Sequence, residues 1–167
     1  MIACSAKPWR MALLVGLGAA LSAAATPSAF AQAAFAGYAG AWTGGGKISL
    51  ANGSVERMRC TAAYRVEQSG AALAQSLSCA SDTYKFELQN QIEAAGSEIS
   101  GTWLEATHNA QGTISGKTGA GRIDGSVAGP GFTAAFSLRE HGNRQQISIQ
   151  VPGSDISEIT AEFVRTR

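Results

Sequence analysis

Two cysteines end the stretch CTAAYRVEQSGAALAQSLSC, residues 60 to 79. A pair of thiols can form a disulfide, hold a metal ion or supply a nucleophile. Zinc sites space their ligands closely and use four of them. Here there is no CxxC, and no further Cys or His stands nearby. A hairpin turning at Ser69-Gly70 would set Cys60 opposite Cys79, Val66 opposite Leu73 and Ala62 opposite Leu77, all on one face. Arg57, Arg59 and Arg65 then fall on the other face. Hydrophobic alternation and cysteine position agree on one register, which predicts a cross-strand Cys60–Cys79 disulfide.

The remaining reactive side chains are few. His108 and His141 are the two histidines, and the strand order below places them at opposite ends of the fold, roughly 25 Å apart. They cannot share a metal; each reads as a solvated turn residue, and without a second histidine near a nucleophile a Ser/His/Asp triad has little support. No inward pair of carboxylates offers glycosidase chemistry. The glycine-rich GKTGAG (116–121) lacks the GxxxxGK[ST] spacing of a phosphate loop and reads as a hairpin turn. No catalytic residue, metal or cofactor is expected. Glu105 is the informative carboxylate: alternation through Ile99, Gly101 and Trp103 turns it inward, where an unpaired charge is costly. It is either an anchor for a ligand or a rim carboxylate that reaches water. Gln75 and Asn90 also face inward, to touch a ligand or to satisfy each other.

These residues need a scaffold, and the period-two alternation supplies one. Ten strands are expected near 40–50, 55–66, 72–80, 83–93, 98–106, 111–118, 121–128, 131–139, 145–151 and 156–165. Gly-, Asn-, Asp- and Pro-containing turns separate them. The same counting pairs Cys79 with Tyr84, Leu88 with Trp103, Trp103 with Gly116, Val127 with Phe132 and Leu138 with Ile147. The first and last hairpins need an odd loop or a bulge to keep Ile159, Ala161 and Phe163 inside. A long meander with one apolar face and no covering helix must curl on itself. The expected fold is therefore all-β: an antiparallel up-and-down meander of about 8–10 strands, closed into a barrel or flattened into a clam.

The chain begins with Lys7 and Arg10, an apolar run from Met11 to Ala25, and Ala29-Phe30-Ala31 before Gln32. That is the order of a secretory signal peptide over 1–31, leaving a single domain over 32–167 with no membrane span. Cys4 leaves with the leader, and an oxidising compartment, periplasmic or extracellular, suits the remaining pair. Of 13 basic residues Lys7 and Arg10 also leave, so 11 face 12 acidic ones. That balance argues against a nucleic-acid partner. Lys47, Arg57, Arg59 and Arg65 share an outward face, and closure is expected to bring Arg165 and Arg167 near. They form either a patch for an anionic polymer or lipid headgroups, or an ordinary solvated exterior.

The segments AGAWTGGG (39–46) and ISGTWLEATHNAQGTISGK (99–117) resemble the Gly-x-Trp and Thr-Trp strand starts of the calycin group, which includes lipocalins and avidins. The resemblance implies a barrel. It does not carry over avidin's biotin pocket, because past the leader only Trp42 and Trp103 are present. The reading that follows is an exported, non-enzymatic barrel binding a small apolar or amphipathic ligand, with Tyr84, Phe86, Trp103, Glu105 and Phe136 as candidate contacts. Alternatives are a protein-facing module, such as an envelope scaffold or protease inhibitor, and an outer-membrane barrel turned inside out. The latter is opposed by short loops and a C-terminus without an aromatic residue.

Overall fold

The computed structural model describes residues 34–167; the expected leader, with Cys4, lies outside the described residues. Ten strands run in chain order: β1 (Gly40–Leu50), β2 (Val55–Glu67), β3 (Ala72–Ala80), β4 (Lys85–Ala95), β5 (Glu98–Glu105), β6 (Ala110–Gly119), β7 (Arg122–Gly129), β8 (Phe132–His141), β9 (Arg144–Gln150) and β10 (Ile156–Arg165). Each pairs antiparallel with the next, and β10 returns to β1, closing a barrel. Along β2, Met58, Cys60, Ala62 and Tyr64 are buried while Arg57, Arg59, Thr61 and Ala63 are exposed. Residues of period two cannot hide their apolar face without a second layer, and the barrel provides that layer by facing itself.

The Cys60–Cys79 disulfide is formed, with Cys60 directly opposite Cys79, Val66 opposite Leu73 and Ala62 opposite Leu77. Leu138 pairs with Ile147. The first and last hairpins do use odd loops: Ser49 pairs with Val55, and Ile159 with Ile149. Four registers differ from the sequence expectation. Cys79 pairs with Phe86 and not Tyr84, because Ser81–Tyr84 form a four-residue loop in which Ser81 N–H donates to Tyr84 O at 2.8 Å. Leu88 pairs with Glu105 and not Trp103, since Gly96, at φ 65°, occupies the first central turn position. Trp103 pairs with Gly112 and not Gly116, across the four-residue loop 106–109. Val127 pairs with Ala134 and not Phe132, because Pro130 and Gly131 are the central pair of their turn, Gly131 at φ 80°. Every slip is by two or four residues, so no side chain changes face.

The two ends differ. Loops 51–54, 81–84, 106–109, 130–131 and 151–155 surround one end. The other is stoppered by the segment before β1: Phe35 and Tyr38 are fully buried, and Phe35 N–H donates to Gly70 O at 3.0 Å. Alternation places the aliphatic Val66, Leu73, Ile92, Ile99, Leu138 and Ile147 towards that end but gives no sign of this aromatic plug, which lies outside any strand pattern. Arg165 does not join the outer cations as expected. Its guanidinium stacks 4.2 Å over the Trp42 ring and donates to Ala39 O and Gly37 O. The inside-out alternative is also corrected, for the apolar residues face the interior and the outward positions of β1, β2, β8, β9 and β10 carry charged and polar groups.

Replacing Cys60 and Cys79 by serine opens a covalent link between residues 19 apart and is expected to cost about 3 kcal/mol, read as a lower urea midpoint. Thiol titration of the denatured, unreduced protein should find neither of these cysteines free.

Candidate functional site

The inward-facing side chains form a gradient along the barrel axis. Towards the plug, Trp42, Tyr64, Leu73, Ile92, Ile99, Ile123, Leu138 and Phe163 are buried. Towards the other end, Leu50, Leu77, Phe86, Leu88, Val127, Phe132, Phe136, Ile149 and Ile159 also point inward and are partly exposed, beside the buried Ile48, Met58, Cys60, Cys79, Trp103 and Ala134. Partial exposure of inward apolar side chains is thus more frequent at this end, the mouth side of the barrel.

Aromatic rings gather around it in two groups. Tyr84 and Phe86 stack with centroids 6.1 Å apart, and His108 lies 6.4 Å from Phe86. On the other side Trp103 and Phe132 are 5.7 Å apart. Trp103 donates its indole N–H to Ala128 O at 3.1 Å, which lays the ring along the wall. Bare backbone makes this possible: a Cβ at Gly112 would sit 2.7 Å from the Trp103 Nε1, and one at Gly129 2.6 Å from its Cζ2. The sequence expectation that a glycine lies under Trp103 holds in kind, with Gly112 in place of Gly116. Phe136 sits further in, on β8, where Cε1 would be 3.0 Å from a Cβ at Gly125.

Glu105 points inward, as alternation predicted, and is 6 % exposed. Its carboxylate accepts the backbone N–H groups of Glu87 (2.9 Å), Thr107 (2.9 Å) and His108 (2.7 Å), and the His108 Nδ1 lies 2.7 Å from it. Burial opposes its charge, but the hydrogen bonds from Glu87, Thr107 and His108 outweigh burial and hold its pKa at about 2. The group therefore pins the β5–β6 loop to β4 and shapes the rim. Side-chain partners in a loop leave no period to read, so His108 gave no signal beyond its position in a turn.

Midway down the interior a polar row crosses three strands. Asn90 donates to Gln75 Oε1, and Gln75 Nε2 donates to the Tyr64 hydroxyl at 2.8 Å. Burial pushes the Tyr64 hydroxyl above its ordinary pKa, so it stays protonated. Asn90 Oδ1 is buried without a partner. Cross-strand pairing of Tyr64 with Gln75, of Gln75 with Asn90 and of Asn90 with Trp103 puts all four in one row. Ala62, Leu77, Leu88 and Glu105 form the next inward row towards the mouth, and Cys60 and Cys79 the one after it, level with Phe86. Among the described residues no three His, Cys, Asp or Glu side chains converge as a metal site. His108 and His141 stand at opposite ends, one in a mouth loop and one at the far end of β8.

No family profile and no curated protein matches the chain. Solved structures share its fold. Rv2717c from M. tuberculosis superposes with a TM-score of 0.64 at 10% identity, covering 78% of this chain and 94% of that one. The S-type phycobiliprotein lyase CPES from Guillardia theta gives a TM-score of 0.56 at 12% identity, covering 80% of this chain and 90% of that one. Both are ten-stranded antiparallel barrels of the calycin type, so the calycin resemblance holds at the level of fold.

The Glu105 pKa lies below its ordinary carboxylate value of 4.5. Its stabilisation is thus complete above about pH 4.5 and disappears as pH falls through about 2. Glu105→Gln should cost about 2 kcal/mol at pH 7. The difference in thermal midpoint between wild type and variant should shrink between pH 5 and pH 2; a constant gap would refute the clamp.

Proposed function

We propose that the protein is an exported, non-enzymatic carrier of a small amphipathic molecule, taken up through the mouth and held between the wall aromatics. The observation that carries this reading is the partial exposure of inward apolar side chains, most of them towards one end, while Phe35 and Tyr38 seal the other. A folded protein gains by burying such surface, and a ligand of matching shape would do so. Apolar walls with a few convergent polar groups are the general form of small-molecule sites. The likeness to a phycobiliprotein lyase fold is consistent with a barrel that handles a ligand.

Each candidate contact takes a role in this reading. Tyr84 and Phe86 flank entry from the β4 side. Trp103, flat against the wall with Phe132, presents a ring face, and Phe136 lines the interior below. Glu105 serves indirectly, through the loop it clamps, since its oxygens are occupied by backbone donors. Asn90 Oδ1, unpartnered above the Gln75–Tyr64 chain, would accept a hydrogen bond from the ligand's polar end. The disulfide and the leader-like N-terminus support export. His108 and Glu105 at the mouth serve to hold the β5–β6 loop, with the Glu105 carboxylate taken up by three backbone N–H groups, which supports a binding role.

The test is titration with cis-parinaric acid, followed by probe emission and tryptophan quenching, with native mass spectra of the protein as purified. Saturable one-to-one binding is expected, and Phe86→Ala with Phe136→Ala should weaken it about tenfold, a loss of ~1.4 kcal/mol. Asn90→Leu should leave a plain hydrocarbon probe unaffected while weakening a hydroxylated one. Absence of binding to apolar probes, with a stoichiometric protein co-purifying instead, would favour the protein-facing alternative.

A further inference from the structure

The outer wall carries a groove of about 510 Å³ that spans β2, β1, β10, β9 and β8. Strand pairing lays it out in one row: Arg57, Lys47, Thr160, Ser148 and Ser137 follow one another on adjacent strands. Their chain neighbours Ile48, Ala161 and Leu138 are buried in the interior, so this row faces outward. Arg57 and Lys47 form one rim and Arg139, on β8, the other. Three strand spacings, roughly 14 Å, separate Lys47 from β8, and hydroxyls form the floor between. A second hollow of about 470 Å³ continues past Arg139 to Arg144 and His141.

The groove gathers cations that have no short-range partner. Three exposed cations elsewhere on the wall are matched, Lys85 with Glu87 at 2.7 Å, Lys117 with Glu98 at 3.3 Å, and Arg122 with Asp124, whereas Arg59 and Arg65 stand singly on β2. Among the described residues, Lys47, Arg57, Arg139 and Arg144 form no ion pair, and all four are exposed. The acids near the groove are Glu158, towards the mouth, Asp124, paired with Arg122 and cross-strand from Ser137 at the groove's edge, and Glu162, which lines the groove and accepts a hydrogen bond from Gln146 Nε2 at 3.4 Å. Unmatched like charges around a concave surface concentrate anions there.

We propose that this groove binds an acidic polysaccharide. An isolated anion would meet only one rim, whereas an extended chain bearing repeated carboxylates meets both. Its sugar hydroxyls meet Ser148 and Thr160 on the floor and Glu162 beside Gln146, which gives the lone acid a part to play. A lipid surface fits less well, because a plane of headgroups rests on the rims and leaves the hydroxyl floor unfilled. The groove lies outside the barrel wall, so this inference does not rest on the lumen reading.

The probe is the hexamer of galacturonic acid, titrated calorimetrically into the purified protein, with neutral maltohexaose and phosphatidylglycerol vesicles as comparison arms. Hexagalacturonate should bind, maltohexaose should not, and affinity should fall as salt rises. The exposed triple variant K47Q/R57Q/R139Q should lose at least tenfold in affinity. The control R65Q/K85Q/K117Q, which removes as many charges outside the groove, should bind as wild type, as should the lumen variant F86A/F136A. A smaller loss in the triple variant, an equal loss in the control, or vesicle binding without hexamer binding would each overturn the proposal.

Discussion

The seam between the first and last strands is the constraint on which the rest of the molecule depends. A ten-stranded meander has two free edges and one apolar face, and pairing β1 with β10 removes both problems at once. Nine residues of β1, from Trp42 to Leu50, find partners on β10. Two inward glycines permit the close approach: a Cβ on Gly44 would run into the Glu162 carbonyl, and one on Gly46 into that of Thr160. Arg165 then locks the seam at the closed end. Its planar cation covers Trp42 while its N–H groups satisfy carbonyls of the plug, and the Trp42 indole donates to Tyr38 O at 2.9 Å. Plug, first strand and last strand thus form one hydrogen-bonded unit.

Sealing one end leaves the other to accommodate the unevenness of the sequence. The mouth rim owes its shape to a single carboxylate. Glu105 gathers three backbone N–H groups and a histidine around itself, and such charge-assisted bonds are about twice as strong as neutral ones. Below the rim the wall is thinned by glycines, against which Trp103 can lie flat. The polar row of Tyr64, Gln75 and Asn90 crosses the middle of the interior. Buried amides are tolerated when they satisfy one another, and this row does so except for one oxygen. Polar side chains are also buried at other depths, Glu105 at the rim and Thr118 and Gln145 towards the closed end.

The outer surface follows a different rule. Some outward cations are matched along their own strand, as Lys85 with Glu87 and Arg122 with Asp124, or across strands, as Lys117 with Glu98. Across the seam sector Gly45 and the small side chains of Ser148 and Thr160 leave a hollow, and the cations at its edges form no short-range ion pair. Gly46, one of the two glycines that let the seam close, also lines this hollow.

Much of this was legible in the chain. Alternation set which side of the wall every strand residue occupies, and the cysteine pair marked one register outright, because a period of two admits no intermediate orientation. The inward positions of Glu105, Gln75 and Asn90 followed from the same rule. Registers such as Leu88 with Glu105 were not legible, because a two-residue slip keeps the face and changes only which turn residue takes the positive φ. Nor was the plug, since Phe35 and Tyr38 belong to no periodic segment, nor the inward turn of Arg165 onto Trp42, residues 123 positions apart that meet only once the barrel closes. Composition and periodicity determined the sheet and its apolar side; closure alone decided which end opened, what Glu105 holds, and which cations were left without a partner.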